Sequence, residues 1–108
     1  MKSPKWRGNW SDAVDLVVGR ATLDLHFPES ASLKGKRHLL QRVKERVRNR
    51  FNVSVAEVGS NDLWQRSQLA VAVVANDQAF ANAVLSQVVG QVQAEPGVVL
   101  LDYTFDFS

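Results

Sequence analysis

Cysteine is absent from this chain of 108 residues, and so are long hydrophobic runs. Without cysteine the chain cannot form a disulfide, a thiolate metal site or a cysteine nucleophile. Its apolar runs are far too short to cross a membrane as a helix, and its first ten residues lack the apolar centre of a signal peptide. We therefore expect a cytoplasmic protein without a membrane-spanning segment.

Motifs that carry catalysis or bind metal are also missing. Neither His26 nor His38 has a second ligand at metal-binding spacing. There is no glycine-rich phosphate loop, and no spacing identifies a Ser/His/Asp constellation. Asp24, Asp102 and Asp106 could share a hard cation only if their strands were adjacent. We expect no catalytic residues, no resident metal and no cofactor, and hence a protein that is not an enzyme.

Hydrophobic periodicity predicts six structural elements. Alternation predicts strands over residues 17–27, 52–58, 67–75 and 98–107, and spacings of three and four predict helices after Ser32 and after Asn76 or Asp77. With right-handed crossovers, the order β-α-β-β-α-β gives an α+β ferredoxin-like sandwich. Its four-stranded antiparallel sheet would carry both helices on one face, with the first and third strands central.

Residues 16–108 are predicted to form this single domain, and residues 1–15 a polar extension outside the core. Trp6 and Trp10 in the extension indicate either a loose tail or a segment that docks on the domain or on a partner.

The two faces of the predicted sheet differ in character. In the last strand, alternation directs Val99, Leu101, Tyr103, Phe105 and Phe107 toward the helices and Leu100 away from them. In the second helix, Phe80 is expected to join the buried stripe. The opposite, open face would carry three aspartates, which repel phosphate and disfavour RNA contact through the sheet. A small apolar patch on that face, formed by Ala70, Ala72 and Val74, predicts packing against another subunit, as in a homodimer.

Positive charge is concentrated in residues 32–50, SLKGKRHLLQRVKERVRNR. This stretch holds eight of the thirteen basic residues, and its only acid is Glu45. Such a helix could follow a nucleic-acid backbone or hold an anion at its N-terminus. The candidate binding residues are Lys34, Lys36, Arg37, Arg42, Lys44 and Arg48. The alternatives are that Glu29, Glu57 or Asp62 neutralises the first-turn cations, that the cations are solvated, and that the last arginines only stabilise the helix end.

Several motifs resemble a known family. The segment SLKGKR and the run RNRFNVSVAEVGSNDLWQRSQLAVAVVAND are similar to the YlxP-like family of small bacterial proteins, a domain of unknown function. The resemblance covers about residues 17–107 and implies the same ferredoxin-like fold. The family's genes often lie beside genes for translation initiation and ribosome maturation, which implies RNA or the ribosome as a partner. The extension with Trp6 and Trp10 departs from the usual family start.

Two further candidate nucleic-acid-binding residues lie near the predicted hairpin between the second and third strands. Trp64 and Arg66 could together stack on a nucleic-acid base. The alternative, which we favour, is that Trp64 covers an edge of the core.

Overall fold

A computed structural model describes residues 15–108, and Trp6 and Trp10 lie outside the described residues. The elements are β1 (Val17–His26), α1 (Leu33–Arg50), β2 (Ser54–Gly59), β3 (Arg66–Ala75), α2 (Gln78–Gln93) and β4 (Val99–Phe107). All strand pairs are antiparallel, in the order β2-β3-β1-β4. The predicted ferredoxin-like arrangement is confirmed, with the first and third strands in the centre.

Both helices begin at a side chain that caps the backbone. The Ser32 hydroxyl accepts a hydrogen bond from the Gly35 N–H at 3.0 Å, and the Asp77 carboxylate accepts one from the Phe80 N–H at 2.7 Å. Each cap satisfies an N–H group that the first helical turn leaves without a partner. The structure thus confirms Ser32 and selects Asp77 over Asn76.

The core lies between the helices and the inward face of the sheet. Pairing of β1 with β3 sets Ala21 opposite Val71 and Leu23 opposite Leu69, and all four side chains are buried. Because strand side chains alternate between faces, a slip of one residue would move this whole set to the solvent side. The buried apolar positions therefore fix the register that places the other residues.

Strand β4 departs from the predicted alternation because its pairing with β1 shifts register between Asp24 and Leu25. Beyond the shift, Leu100 lies opposite Leu25 and packs against the core, whereas Val99 and Leu101 are exposed. The predicted inward positions of Val99 and Leu101 and the outward position of Leu100 are therefore wrong. An irregularity in the ladder reverses which residues face the core, and alternation alone does not reveal it.

Two aromatic residues are also more exposed than expected. Phe80 is 57% exposed, so its predicted place in the buried stripe of α2 is wrong; Ala81, Leu85, Val88 and Val92 form that stripe. Tyr103 lies opposite Leu23, on the helix side of the sheet, yet it is 46% exposed. Tyr103 is on an edge strand, where one flank has no neighbouring strand within residues 15–108.

The opposite face of the sheet carries the residues expected there. Thr22 on β1 lies between Ala70 on β3 and Thr104 on β4, and Arg20 lies between Ala72 and Asp106. This face forms an open concavity of about 470 Å³, whose floor includes Ala56, Ala70 and Ala72. Neither helix packs on it. No helix within the described range is long and apolar enough to cross a membrane.

Candidate basic surface on the first helix

Helix α1 divides its basic residues among three faces. Its buried stripe consists of Lys36, Leu40, Val43 and Val47, which follow one another at spacings of four, three and four. These spacings place the four residues on one side of a helix. A lysine thus occupies the first position of the stripe that packs on the sheet.

The Lys36 side chain is completely buried, and its ammonium group is surrounded by acceptors. Its Nζ donates to the carbonyl oxygens of Ser60 at 2.9 Å, Asn61 at 3.0 Å and Arg66 at 3.2 Å. It also lies 3.4 Å from Oε2 of Glu57. An ammonium carries three N–H donors, so these partners saturate it. The prediction that Lys36 belongs to an exposed binding surface is wrong, and the alternative that Glu57 neutralises it is confirmed.

This buried ammonium joins α1 to the connection between β2 and β3. Ser60 in that connection has a positive φ of 59°, an uncommon backbone conformation for a residue other than glycine. Glu57, at the end of the hairpin, also accepts a hydrogen bond from the Ser67 hydroxyl at 2.7 Å. Lys36, Glu57 and Ser67 therefore form one polar network that holds the hairpin against the first turn of α1.

A second face of α1, at positions 42, 46 and 50, is directed toward the C-terminal end of α2. Arg46 Nη1 lies 2.8 Å from Oε2 of Glu95, and Arg42 Nε lies 3.6 Å from the same atom. Arg42 also donates to the Pro96 carbonyl, and Arg50 donates to the Gln91 side chain at 2.6 Å. The Glu95 side chain is only 3% exposed, so the two arginines compensate a buried carboxylate. Arg42, a candidate binding residue, is therefore held in a structural contact.

A third face carries the remaining basic residues, of which Lys34, Arg37 and Arg48 are exposed and Lys44 is half-buried. Spacings of three and four align Lys34, Arg37, Gln41, Lys44 and Arg48 along the helix. Within residues 15–108, no carboxylate lies within 4.0 Å of the charged groups of Lys34, Arg37 or Lys44. Arg48, at the end of this row, donates to the Val55 carbonyl at 3.0 Å. We call Lys34, Arg37 and Lys44 the basic row.

Two members of the basic row share a depression with neighbouring polar groups. Arg37, His38, Gln41 and Lys44 line an open cavity of about 410 Å³, whose other walls are Leu40 and Glu57. Oε2 of Glu57 faces Lys36 and Ser67, so its charge is matched from the interior side. The depression therefore presents two cations and hydrogen-bonding side chains to solvent at the surface of α1.

The N-terminal turn of α1 offers less to an anion than its sequence suggests. The hydroxyl of Ser32 already accepts the Gly35 N–H, and the Lys36 ammonium is directed into the interior. Lys34 in the first turn and Arg37 just after it stay exposed. The positive charge available to a ligand is thus displaced from the helix end toward the middle of the helix.

Trp64 and Arg66 do not form the arrangement that we favoured. Trp64 is 56% exposed in the β2–β3 connection, so it does not cover a core edge. Arg66 lies on the open face of the sheet, where its Nη2 contacts both carboxylate oxygens of Asp24 at 3.0 and 2.8 Å. The predicted stacking role of these two residues stays a prediction.

Two of the three aspartates of the open face are matched by arginines. Arg66 binds Asp24, and Arg20 pairs with Asp106. Within the described part of the chain, no group of three histidine, aspartate or glutamate side chains is arranged to hold a metal ion. Ala70, Ala72 and Val74 lie on this uncovered face, and Val74 is 67% exposed. Their role as a subunit interface stays a prediction.

The burial of Lys36 could have been predicted from the sequence. Leu40, Val43 and Val47 define the apolar stripe, and Lys36 precedes Leu40 by four residues. Extending the stripe backward by one turn therefore reaches Lys36. The contacts of Arg42 and Arg46 had no such signal, because their partner Glu95 is about fifty residues away in the chain.

Comparison with known families agrees with the motifs and the fold. Residues 18–105 match the model of a family described as "Protein of unknown function (DUF503)". The chain belongs to the DUF503 family. The match runs from β1 to near the end of β4, so the basic row and the Lys36 network both lie inside the family domain.

A relative and a solved structure extend this comparison. The DUF503 chain is 33% identical to the "Uncharacterized protein YlxP" of Bacillus subtilis (strain 168) over 82 residues, which cover 76% of this chain and 89% of the relative. Its structure is similar to the de novo designed protein Foldit4, with a TM-score of 0.51 and 14% identity over 86% of this chain and 96% of the design. The first likeness confirms the YlxP-like family, and the second concerns the fold alone.

Proposed function

We propose that this DUF503 protein is a non-enzymatic, cytoplasmic RNA-binding protein, associated with structured RNA or the ribosome. In this proposal, the exposed face of α1 binds the phosphate backbone through Lys34, Arg37 and Lys44. The observation that carries the proposal is the alignment of these three cations along one helix face, without carboxylate partners in residues 15–108.

The division of α1 into three faces supports this choice of residues. Lys36 and Arg42 are committed to interior or interhelical partners, so structural needs account for them. Structural contacts do not account for the basic row, because none of its members forms an ion pair with an acid within residues 15–108. Lys34 lies in the first turn, near the positive end of the helix dipole, where an exposed cation costs roughly 0.3–1 kcal/mol. An anionic ligand would offset that cost.

The spacing of the basic row suits a repeating anion. Lys34 and Arg37 are three residues apart, and Arg37 and Lys44 are seven apart, so the cations recur at one-turn and two-turn intervals. Such contacts would position the protein on a backbone without reading base sequence. We therefore expect affinity that depends strongly on salt and weakly on RNA sequence.

The test compares two double variants of the full chain. Arg37→Ala with Lys44→Ala removes two positive charges from α1, and Gln87→Glu with Gln93→Glu adds two negative charges to exposed positions of α2. The two variants have equal net charge, so a difference in their RNA binding must come from where the charge was changed. Binding to isolated ribosomal subunits and to a double-helical RNA fragment would be measured against salt concentration.

We expect the α1 variant to bind more weakly and with a shallower salt dependence, by roughly one unit of slope for each lost phosphate contact. The α2 variant should keep the slope of the parent. Equal slopes in all three proteins, or no binding by the parent to either RNA at low salt, would refute the proposal.

A further inference from the structure

The free edge of β4 has a backbone pattern that the ladder with β1 determines. Val18 and Ser108 exchange two hydrogen bonds of 3.0 Å, which makes them a hydrogen-bonded pair. In an antiparallel ladder, such pairs alternate with pairs whose backbone groups point away from each other. Asp106 and Thr104 therefore bond to β1, and Phe107, Phe105 and Tyr103 direct their N–H and C=O groups to the free edge.

A side-chain contact independently supports this assignment. The Tyr103 N–H donates to Oδ1 of Asp102, its own neighbour in sequence, at 2.8 Å. This bond requires that β1 does not use the Tyr103 N–H. Within residues 15–108 no strand pairs with the outer side of β4, so the outward groups of Phe105 and Phe107 have no partner there.

The two edges of the sheet are protected very differently. β2, at the other edge, has six residues and a register shift between Glu57 and Gly59. In addition, Arg48 on α1 donates to the Val55 carbonyl and places a charge beside that edge. Short length, irregular pairing and a basic side chain are ordinary ways to prevent strand addition. β4 has nine residues, regular pairing from Asp102 to Phe107, and no lysine, arginine or proline.

The helix side of β4 also exposes an aromatic row. The ring centroids of Tyr103 and Phe105 are 5.4 Å apart, and those of Phe105 and Phe107 are 6.5 Å apart. Tyr103 is 46% exposed, and the two phenylalanines are half-buried. A strand added to this edge would cover the flank of these rings in addition to pairing the backbone.

We propose that β4 pairs antiparallel with β4 of a second copy of this chain, so that two four-stranded sheets become one continuous sheet of eight strands. A two-fold axis perpendicular to the sheet makes the edge self-complementary, because each outward donor of one strand meets an outward acceptor of the other. The same axis keeps both helix layers on one side and brings the two aromatic rows together.

Charge disfavours the two registers next to a pairing centred on Phe105. With Phe105 opposite its own copy, Thr104 lies opposite Asp106 of the second copy, and Asp102 opposite its Ser108. Tyr103 then lies opposite Phe107, and no acid faces another acid. A shift that centres the pair on Thr104 would set Asp102 against Asp106, and a shift that centres it on Asp106 would set that residue against itself. Like charges directly opposite each other destabilise a strand pair.

The chosen register makes hydrogen bonds between outward groups only. Phe105 exchanges two bonds with its copy, and each Phe107–Tyr103 pair exchanges two more. For the latter pairs, the Tyr103 N–H must leave the Asp102 carboxylate and donate to the opposite Phe107 carbonyl. The bond between Tyr103 and Asp102 is therefore a feature of the free edge that pairing replaces.

The experiment measures the mass of the full chain by sedimentation equilibrium across a concentration series, together with amide hydrogen exchange. We expect a concentration-dependent dimer in which the Phe105 and Phe107 amides become protected as the dimer forms. A monomer at every concentration would overturn the proposal. A monomer in which these two amides are already protected would also overturn it, because another segment of the same chain would then occupy the edge.

Two substitutions of the exposed Thr104 test the register. Thr104→Asp places two acids opposite Asp106 residues and should weaken dimerisation about twofold to thirtyfold, and Thr104→Lys should strengthen it. Ala70→Asp on the open face is the control and should leave the dimer intact. A dimer that Ala70→Asp abolishes, or that both Thr104 variants change in the same direction, would contradict edge pairing.

Discussion

The ammonium nitrogen of Lys36 lies 3.4 Å from Oε2 of Glu57, with the lysine side chain fully buried and the glutamate side chain 11% exposed. Three carbonyl oxygens complete the surroundings of the ammonium. A residue that looks like part of a binding surface in the sequence is thus the anchor of the β2–β3 hairpin.

Replacing Lys36 should strongly destabilise the fold. Lys36→Met keeps the length of the side chain but leaves Glu57 without its cation and three carbonyls without a donor. Removing one partner of a buried ion pair costs about 3–5 kcal/mol. Chemical denaturation followed by circular dichroism would measure the free energy of unfolding. Glu57→Gln should cost less, because the three carbonyls continue to hold the ammonium, and an equal loss in both variants would contradict this account.

Glu95 should contribute more to stability than either arginine that contacts it. Its side chain is 3% exposed, whereas Arg46 is 50% exposed and can be solvated when its partner is lost. Glu95→Ala leaves the partly buried Arg42 without an acid and removes the acceptor of the Gln91 amide. We expect a loss of about 1–3 kcal/mol for Glu95→Ala and less than about 1 kcal/mol for Arg46→Ala. Thermal unfolding of both variants would show which one loses more stability. A larger loss for Arg46→Ala would contradict the prediction.

Two single variants should distinguish the role of the basic row of α1 from the role of the face that contacts α2. Lys44→Ala removes a member of the basic row, and Arg42→Ala removes a residue that contacts Glu95 and the Pro96 carbonyl. The proposed function predicts that Lys44→Ala weakens RNA binding and lowers the salt slope by roughly one unit. Arg42→Ala should lower the melting temperature and leave the slope unchanged. Titration of one RNA at several salt concentrations, with melting curves alongside, measures both effects; a reversed pattern would place the RNA contact on the other face of α1.

Two glycine substitutions should change stability in opposite directions. Gly97 has a φ of +78° at the turn before β4, so Gly97→Ala is expected to cost about 1–2 kcal/mol. Gly90 is exposed within α2, and a Cβ added there would meet no atom within 4 Å. Gly90→Ala should therefore stabilise the protein by about 0.5–1 kcal/mol, because alanine has less backbone freedom to lose on folding. Denaturant titration of the two variants measures this difference, and equal effects would mean that local conformation is not the cause.

The elements and their order were predictable because each has a periodicity of its own. The inward positions of β1, at Ala21, Leu23 and Leu25, follow strict alternation and are all buried. Prediction was wrong for Val99, Leu100 and Leu101, because the register shift beside Asp24 depends on how β4 meets β1. That shift is a property of two strands together, and the sequence of one strand does not contain it.

The basic surface was only partly predictable for a similar reason. The sequence by itself determined that α1 is amphipathic, begins at Ser32 and carries most of the positive charge. The tertiary structure decided which charges are available, by bringing Glu57 to Lys36 and Glu95 to Arg42 and Arg46. These acids are 21 to 53 residues away along the chain, at separations that follow from the positions of the residues. Local periodicity sets which side of a helix a residue occupies, but only packing sets which opposite charge lies within reach of it.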